Sequence, residues 1–254
     1  MDPWLIGVPA AAALAGATTA VGAVNPRSQI FGTTICRTTS PRQLAITFDD
    51  GPNPAITPKL LGLLDRFQAR ATFFVIGRFV RECGGLTKEI AERGHQLANH
   101  TETHPNLFWL TPNAVRDELE RCQDALHCAT GSGARFFRPP YGFRNPWVVS
   151  TARDLGMQTV LWTLLPGDWR AHSSEWLAER MQPIAKHAER TSGCRTGDVI
   201  CLHDGAHRGL GGDRRHTVNA LEYWLPRWRD LGLKFVTISE AVKPPADHGH
   251  TRVL

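Results

Sequence analysis

Apolar and polar positions alternate in blocks along the chain from Gln43 onward. Short apolar runs predict buried strands, and the longer segments between them, which begin or end at Pro or Gly, predict helices. Repeated strand–helix units imply a parallel sheet covered by helices. The expected fold class is therefore α/β in a single domain, as an open sheet or a barrel. Seven strands are predicted, and their sequences are QLAITF, ATFFVIG, HQLAN, ARFF, MQTVLWTLL, DVICLHD and KFVTIS.

The helices between these strands are predicted to begin at Thr57, Thr111 and Asn145, and single helices are predicted to end at Gly94 and near Gly131. Trp224 and Trp228 are interpreted as core or helix packing residues.

The first 25 residues follow a different pattern. No charged side chain occurs from Pro3 to Asn25, and Ala and Gly dominate. This length is near the ~20 residues of a membrane-spanning helix, and no basic residue precedes the run as in a secretory signal. Residues 1–25 are therefore a candidate membrane anchor through residues 4–24. An uncleaved signal, an amphipathic surface helix and a helix packed on the domain are the alternatives.

The charges around this apolar segment bear on localisation. The basic residues Arg27, Arg37 and Arg42 all follow it. The positive-inside rule then favours a membrane-associated protein with a cytoplasmic catalytic domain, and export is the alternative. At the other end of the chain, the composition of residues 244–254 predicts a disordered tail.

Composition excludes several classes of protein. Of the 254 residues, 42% are hydrophobic and 21% charged, which is typical of a globular protein and excludes global disorder. The net charge is +5, but the basic residues are scattered, so no nucleic-acid partner is expected. The six cysteines form no C-x-x-C pair, which argues against a zinc knuckle. Cys122 and Cys128 lie on different faces of one predicted helix, so free thiols are expected.

Ionisable and polar residues follow the predicted strands at their carboxyl ends. In α/β barrels the loops that follow the strands converge on this face and carry the chemistry. Six such groups from five strands are difficult to explain by packing alone. They are Asp49, Asp50, His100, Arg138, Asp168 and His203.

Three of these segments suggest a metal and its reaction. Adjacent Asp49 and Asp50 point in different directions, so one can bind a metal while the other acts as a base. In HTETH, His100 and His104 are four residues apart, which on a helical turn puts both imidazoles on one face. Two histidines and one carboxylate leave positions open on zinc, as a catalytic site requires.

Two further segments suggest proton transfer and oxyanion binding. In RPPYG (138–142) the prolines lack N–H groups, which leaves the Tyr141 N–H as an oxyanion donor; a rigid loop with a surface arginine is the alternative. His203, near Trp169 and a carboxylate, has the features of a general acid. The basic, Gly-rich run HRGLGGDRRH (207–216) favours a solvated loop over a phosphate-binding one.

Taken together, these motifs resemble the polysaccharide deacetylase family, also called the NodB-homology or carbohydrate esterase 4 domain. The resemblance covers residues 43–240. It implies a distorted (β/α)7 barrel with a divalent metal, and zinc is the expected ion. It implies that Asp49 is the base, oriented by Arg138. The matching segments are TFDDGP (47–52), HTETH (100–104), RPPYG (138–142), DW (168–169) and LHD (202–204).

The resemblance assigns the remaining roles by position. Asp50, His100 and His104 would bind the metal. Tyr141 would contribute to the oxyanion hole. Asp168 would adjust the pKa of His203, which would be the acid. In the family's D-x-x-D-W motif the first Asp is replaced here by Leu165, which affects expected substrate contacts more than the chemistry.

The expected function is metal-dependent removal of an N-acetyl group from an amino sugar of a polysaccharide or glycolipid. The metal would polarise the acyl oxygen and lower the pKa of its water from ~16 toward ~7, Asp49 would take the proton, and His203 would protonate the leaving amine. The alternatives are a deformylase or deacetylase of a lipid-linked sugar, an O-acetyl esterase, and a catalytically inactive glycan-binding module.

Overall fold

Strands and helices alternate along the computed structural model, which describes residues 19–170, 173–190 and 194–242. The strands are β1 (Thr34–Ile35), β2 (Gln43–Gly51), β3 (Ala71–Val75), β4 (Gln96–Asn99), β5 (Phe136–Phe137), β6 (Gln158–Val160), β7 (Asp198–His203) and β8 (Lys234–Phe235). The helices are α1 (Thr57–Arg66), α2 (Gly77–Glu82), α3 (Gly84–Glu92), α4 (Pro112–Thr130), α5 (Pro146–Asp154), α6 (Ser174–Glu189), α7 (Arg215–Asp230) and α8 (Ile238–Ala241). Short 3₁₀ segments occur at Leu107–Trp109, Pro140–Gly142 and Asp168–Arg170.

The strands form one curled, parallel sheet. Its order is β1-β6-β5-β4-β3-β2-β7, and β8 pairs with the start of β2. The chain after β6 meets the other edge, because Leu164 forms a parallel bridge with Ile200 of β7. The sheet therefore curls into a distorted barrel built from seven strands in series, and the predicted single-domain α/β barrel is confirmed.

The core explains why the central strands are apolar throughout. Every residue of β2 after Gln43 is buried, since the strand has the barrel interior on one side and helices on the other. Phe48 and Phe73 stack with ring centroids 4.9 Å apart. Trp224 and Trp228 of α7 stack at 5.5 Å and belong to the same core, as their interpretation as packing residues anticipated. This packing fixes the strand ends that carry the site.

Helix ends follow the sequence in most places. Thr111 and Asn145 cap α4 and α5 with their side chains, each followed by Pro, and α4 ends at Gly131 with φ 76°. Thr57, which the sequence suggested as the cap of α1, is instead its first residue. Its hydroxyl donates a hydrogen bond to the buried carboxylate of Asp204.

Two predicted elements end differently. The single helix expected before Gly94 is two helices, α2 and α3, which meet at Cys83 with φ −124° and ψ 40°. KFVTIS is a strand only in its first two residues. The reason is local: Thr237 and Glu240 form a capping box, in which each side chain bonds the other's backbone N–H, and this starts α8.

The predictions for the chain ends lie largely outside the described residues. Of the apolar segment 1–25, residues 19–24 are helical and residues 1–18 lie outside, as does the predicted tail 244–254. In the portion that is described, none of the helices combines the length and apolarity needed to cross a bilayer. The cysteines are free thiols, with Cys122 buried and Cys128 exposed on α4 as expected.

Candidate active site and metal centre

The predicted polar residues meet at the carboxyl edge of the barrel. His100 and Arg138 follow β4 and β5 directly, and Asp49 of β2 lies opposite His203 of β7 in the strand register. A cavity of about 620 Å³ opens at this edge. Of the predicted residues, Asp49, Asp50, His100, His104, Tyr141 and His203 line the cavity.

The two adjacent carboxylates reach the same cavity because the strand is irregular between them. Regular alternation would send Asp49 and Asp50 to opposite faces of β2. The register against β3 shifts between Asp49 and Gly51, and Asp50 adopts φ 71°. An extra residue of this kind re-aims a side chain beside a site. Both carboxylates can therefore act on one bound molecule while keeping separate partners.

Arg138 holds Asp49 from inside the barrel. The guanidinium is fully buried and donates to Asp49 Oδ1 at 2.6 Å and to Thr47 Oγ1 at 2.8 Å. It also lies over the ring of Phe74, 4.0 Å from the centroid. A buried cation with this many partners is compensated and rigid. The charge of Asp49 is thereby paired, and its Oδ2 remains turned toward the cavity side, 3.9 Å from His100 Nε2.

Cys201 is a site residue that sequence reasoning missed. Its thiol donates to Asp49 Oδ2 at 3.3 Å, and burial raises its pKa well above the ordinary value, so it is a neutral thiol. It stands two residues before His203 on β7. The period of two along a strand puts both side chains on the barrel interior, and this pattern could have identified it.

The HTETH segment is a loop, and the expectation of a helical turn is wrong. Thr101 and His104 both have positive φ, 70° and 62°. Nearby side chains satisfy the backbone of the segment: Asn99 Oδ1, at the end of β4, accepts from the Thr101 N–H, and Thr101 Oγ1 accepts from the His104 N–H, at 2.8 and 2.9 Å. The N-terminus of α2 adds support, since the Gly77 N–H donates to the Thr101 carbonyl at 2.9 Å.

The loop nevertheless brings Asp50 and the two histidines together. His104 Nε2 lies 3.2 Å and His100 Nε2 3.6 Å from Asp50 Oδ1. Two ligands bound at about 2.1 Å to one tetrahedral ion lie about 3.4 Å apart. Asp50 Oδ1 is also buried without a hydrogen-bond partner, an orphaned acceptor that a cation would satisfy. These residues fit a divalent metal.

The protonation of these groups suits metal binding as well. Burial lowers the pKa of His104 to about 3, helped by repulsion from His100, so the ring is neutral. Burial acts to raise the pKa of Asp50, but the imidazoles of His100 and His207 outweigh it and hold the pKa well below its usual range. His100 Nδ1 lies 2.8 Å from the Arg138 carbonyl, which leaves Nε2 free for a ligand.

His207 is a second residue that the sequence did not place here. The run 207–216 was interpreted as a solvated loop, yet His207 lines the cavity. Its ring stacks on His104 with centroids 4.5 Å apart, and its Nδ1 lies 3.8 Å from Asp50 Oδ2. No sequence motif marks it, because only the fold of the loop after β7 turns it inward.

His203 is held by Asp168 on the opposite flank. Asp168 Oδ1 lies 2.8 Å from His203 Nδ1, and Oδ2 accepts the backbone N–H at 2.7 Å. Burial alone would lower the pKa of His203, but the charge of Asp168 and its hydrogen bond, with Asp50 and Asp49 adding to them, raise it to about 9. His203 is thus protonated at neutral pH. Trp169 packs edge-on against its ring, with centroids 5.1 Å apart.

Aromatic and basic residues form the cavity walls. Tyr141 has φ 60° and its ring lies edge-on to His104, with centroids 4.8 Å apart. Leu165, which replaces an Asp of the D-x-x-D-W pattern, makes part of the wall apolar. Around these, basic side chains line the cavity without a carboxylate partner among the residues that the structure describes, namely Arg170, Arg208 and Arg214.

Comparison with known proteins identifies the family. The model of the family described as polysaccharide deacetylase matches residues 37–160. The chain is 37% identical over 210 residues to a peptidoglycan-N-acetylglucosamine deacetylase of Bacillus cereus, covering 79% of this chain and 88% of the relative. The chain belongs to the polysaccharide deacetylase family. It is therefore a hydrolase acting on carbon–nitrogen bonds, as the sequence predicted.

Two further relatives extend this comparison. A chitooligosaccharide deacetylase of Azorhizobium caulinodans is 34% identical over 194 residues, covering 74% of this chain and 88% of the relative. The Bc1960 peptidoglycan N-acetylglucosamine deacetylase superposes with a TM-score of 0.73 at 27% identity, covering 82% of this chain and 92% of that structure. The polysaccharide deacetylase fold is thus shared across most of the chain.

Proposed function

We propose that this deacetylase removes the N-acetyl group from an amino sugar of a polysaccharide or glycolipid. One observation supports it above the others: Asp49 and His203, a carboxylate and a protonated imidazole, are register neighbours beside the Asp50–His100–His104 cluster. Hydrolysis of an amide needs a group that accepts a proton from water and one that donates a proton to the amine. The relatives named for peptidoglycan and chitooligosaccharide agree with this substrate class.

Asp50, His100 and His104 would hold the divalent ion. Zinc suits this donor set, because two imidazoles and one carboxylate satisfy it while leaving positions open. When bound, the ion supplies a Lewis acid for the acyl oxygen and makes the attacking water more acidic. The identity of the metal is testable by metal analysis of the purified protein.

The proton transfers belong to the residues on either side. Asp49 is the base, and Arg138 holds its carboxylate in position by the 2.6 Å hydrogen bond. His203 is the acid: its proton goes to the amine nitrogen as the carbon–nitrogen bond breaks, and Asp168 stabilises the protonated ring before transfer. The Tyr141 N–H, presented by the turn at φ 60°, would stabilise the developing oxyanion.

A panel of substrates tests the reaction. Acetate and formate release would be measured by mass spectrometry from chitooligosaccharides, peptidoglycan fragments, lipid-linked amino sugars and O-acetylated glycans, with Asp49→Asn as the blank. Acetate release from N-acetylated sugars above the blank supports the proposal. Release only from O-acetyl esters, or from none of the panel with metal supplied, would contradict it.

A lipid-linked amino sugar is the second candidate substrate, since it is favoured by the uncharged run from Pro3 to Asn25. Membrane association of residues 4–24, with the catalytic domain on the cytoplasmic side, belongs to the same proposal. Fractionation of the full chain and of a chain lacking residues 1–18 tests it. The full chain is expected in the membrane fraction and the shortened one in the supernatant; equal distribution would exclude an anchor.

A further inference from the structure

His207 contacts the candidate metal centre from the loop after β7. Asp50 presents its Oδ1 to His100 and His104, while its Oδ2 faces His207 Nδ1 at 3.8 Å. The His207 ring is parallel to that of His104, with an interplanar angle of 14°. Asp50, His104 and His207 each offer one ligand atom, and these three atoms lie within 4.8 Å of one another.

The loop holds His207 in this position. Arg78 donates a hydrogen bond to the His207 carbonyl. Asn53 Nδ2 donates to the carbonyls of Asp204 and Gly212, at 2.9 and 2.8 Å, and so ties the two ends of the loop together. Gly205 packs against the carbonyl of Asp50 so closely that a Cβ there would overlap it. The backbone around His207 is therefore held in place, while its side chain, 35% exposed, lies in the cavity wall.

The distances favour a shared ion over a direct contact. A separation of 3.8 Å is too long for a hydrogen bond but close to that of two ligands on one cation. Imidazole nitrogens and carboxylate oxygens are the ligands zinc accepts. We infer that His207 Nδ1 is a fourth protein ligand of the ion, beyond Asp50, His100 and His104, so that the ion would accept water as a fifth ligand. This inference rests on the metal centre of the proposed function.

Metal affinity tests the inference without relying on activity. Zn²⁺ binding would be measured by competition with a chromophoric chelator in the metal-stripped wild type, His207→Ala, His104→Ala and His127→Ala. His127 is the matched control, because it is exposed on α4. Loss of a residue that only orients a ligand typically weakens metal binding about 10–100-fold, so His207→Ala should weaken it at least 10-fold. His127→Ala should bind as the wild type does.

X-ray absorption of the zinc-loaded proteins provides the second measurement. The wild type is expected to show one more imidazole in the first coordination sphere than His207→Ala. Circular dichroism and thermal unfolding of the metal-free variants check that folding is unchanged. Affinity within twofold of wild type, or an equal imidazole count, would overturn the assignment of His207 alone. A wild type that binds no divalent ion would overturn the metal centre and this inference together.

Discussion

The carboxylate of Asp49 is held by two buried partners, one of which is itself held by a third residue. Arg138 bonds Oδ1, Cys201 bonds Oδ2, and Thr47 bonds the same guanidinium nitrogen from below. Arg138 in turn needs Asp49, since a buried cation left without its anion is strongly destabilised. The pair therefore fixes the position of the group proposed as the base.

Asp49→Asn is predicted to abolish most activity while keeping the metal. The amide has the same shape but cannot accept a proton from water, so kcat should fall by roughly 100-fold or more. Metal content by mass spectrometry and steady-state kinetics on one acetylated substrate measure the two effects. A kcat near that of the wild type would show that another group is the base.

The His203–Asp168 pair is predicted to set the alkaline limit of activity. The folded pKa of His203, about 9, lies above the ~6.5 of an unfolded chain. The His203–Asp168 interaction therefore contributes its full stabilisation, about 3 kcal/mol of unfolding free energy, below the unfolded pKa. This contribution is lost as pH rises through about 9. In Asp168→Asn the alkaline limb of kcat/KM should move down by about one pH unit or more.

Asp124→Asn is the control for this change, because Asp124 is exposed on α4. Its pH profile and its free energy of unfolding should match those of the wild type. An alkaline limb in Asp168→Asn that stays where the wild type has it would show that the charge of Asp168 does not govern the proton on His203.

At the scale of elements, the site depends on loops whose shape the sequence did not predict. Strand–helix alternation predicted which residues follow strands, because hydrophobic periodicity is local. The shape of HTETH depends on hydrogen bonds from Asn99 and from α2, and the inward turn of His207 depends on Asn53 and Arg78. Apart from the local Asn99 bond, these contacts join distant parts of the chain, so spacing alone could indicate the histidines but not their geometry.

The same reasoning explains the differences in secondary structure. KFVTIS has the apolar alternation of a strand, but the Thr237–Glu240 capping box starts a helix within it. Asp49 and Asp50 were expected to diverge along a regular strand. The irregular register at Asp50 cannot be identified from the sequence, because aspartate occurs at left-handed positions and at many others.

Gly205→Ala is predicted to disturb the loop after β7. A Cβ at Gly205 would overlap the carbonyl oxygen of Asp50, so β2 and the loop must separate. Overpacking of this kind costs about 1–3 kcal/mol, and the shift at Asp50 should also weaken metal binding. Gly209→Ala is the matched control in the same loop, since nothing lies within 4 Å of the added atom. Denaturant unfolding and zinc titration would show equal values for both variants if the close approach is unimportant.

At the scale of the whole molecule, the barrel joins segments that are far apart in the sequence. Asp49 and His203 meet because β2 pairs with β7, and closure through Leu164 brings Asp168 behind His203. The N-terminal segment is also joined to the barrel by contacts between residues far apart in the sequence. Arg144, which follows the Tyr141 turn, donates to the carbonyls of Asn25 and Ser28 at 2.7 and 3.0 Å.

Removal of residues 1–28 is predicted to destabilise the domain more than removal of residues 1–18 does. Arg144 is buried, and its backbone N–H also donates to the Ala23 carbonyl at 3.3 Å. The longer deletion removes two acceptors of the guanidinium and the acceptor of the backbone N–H, and leaves the guanidinium with the Gly142 carbonyl at 3.4 Å. Stranding a buried charge costs on the order of 3 kcal/mol, which corresponds to roughly 5–10 °C in Tm for a domain of this size.

A compensating substitution separates this cause from a general effect of truncation. In the chain lacking residues 1–28, Arg144→Met replaces the stranded charge by an apolar side chain of similar length, so part of the lost Tm should return. In the full chain the same substitution should lower Tm, because it leaves the Asn25 and Ser28 carbonyls without their donor. Differential scanning calorimetry of these four proteins and of the chain lacking residues 1–18 measures the effects. Equal Tm for the chains lacking residues 1–18 and 1–28, or no recovery with Arg144→Met, would mean that Arg144 does not link the N-terminal segment to the Tyr141 turn.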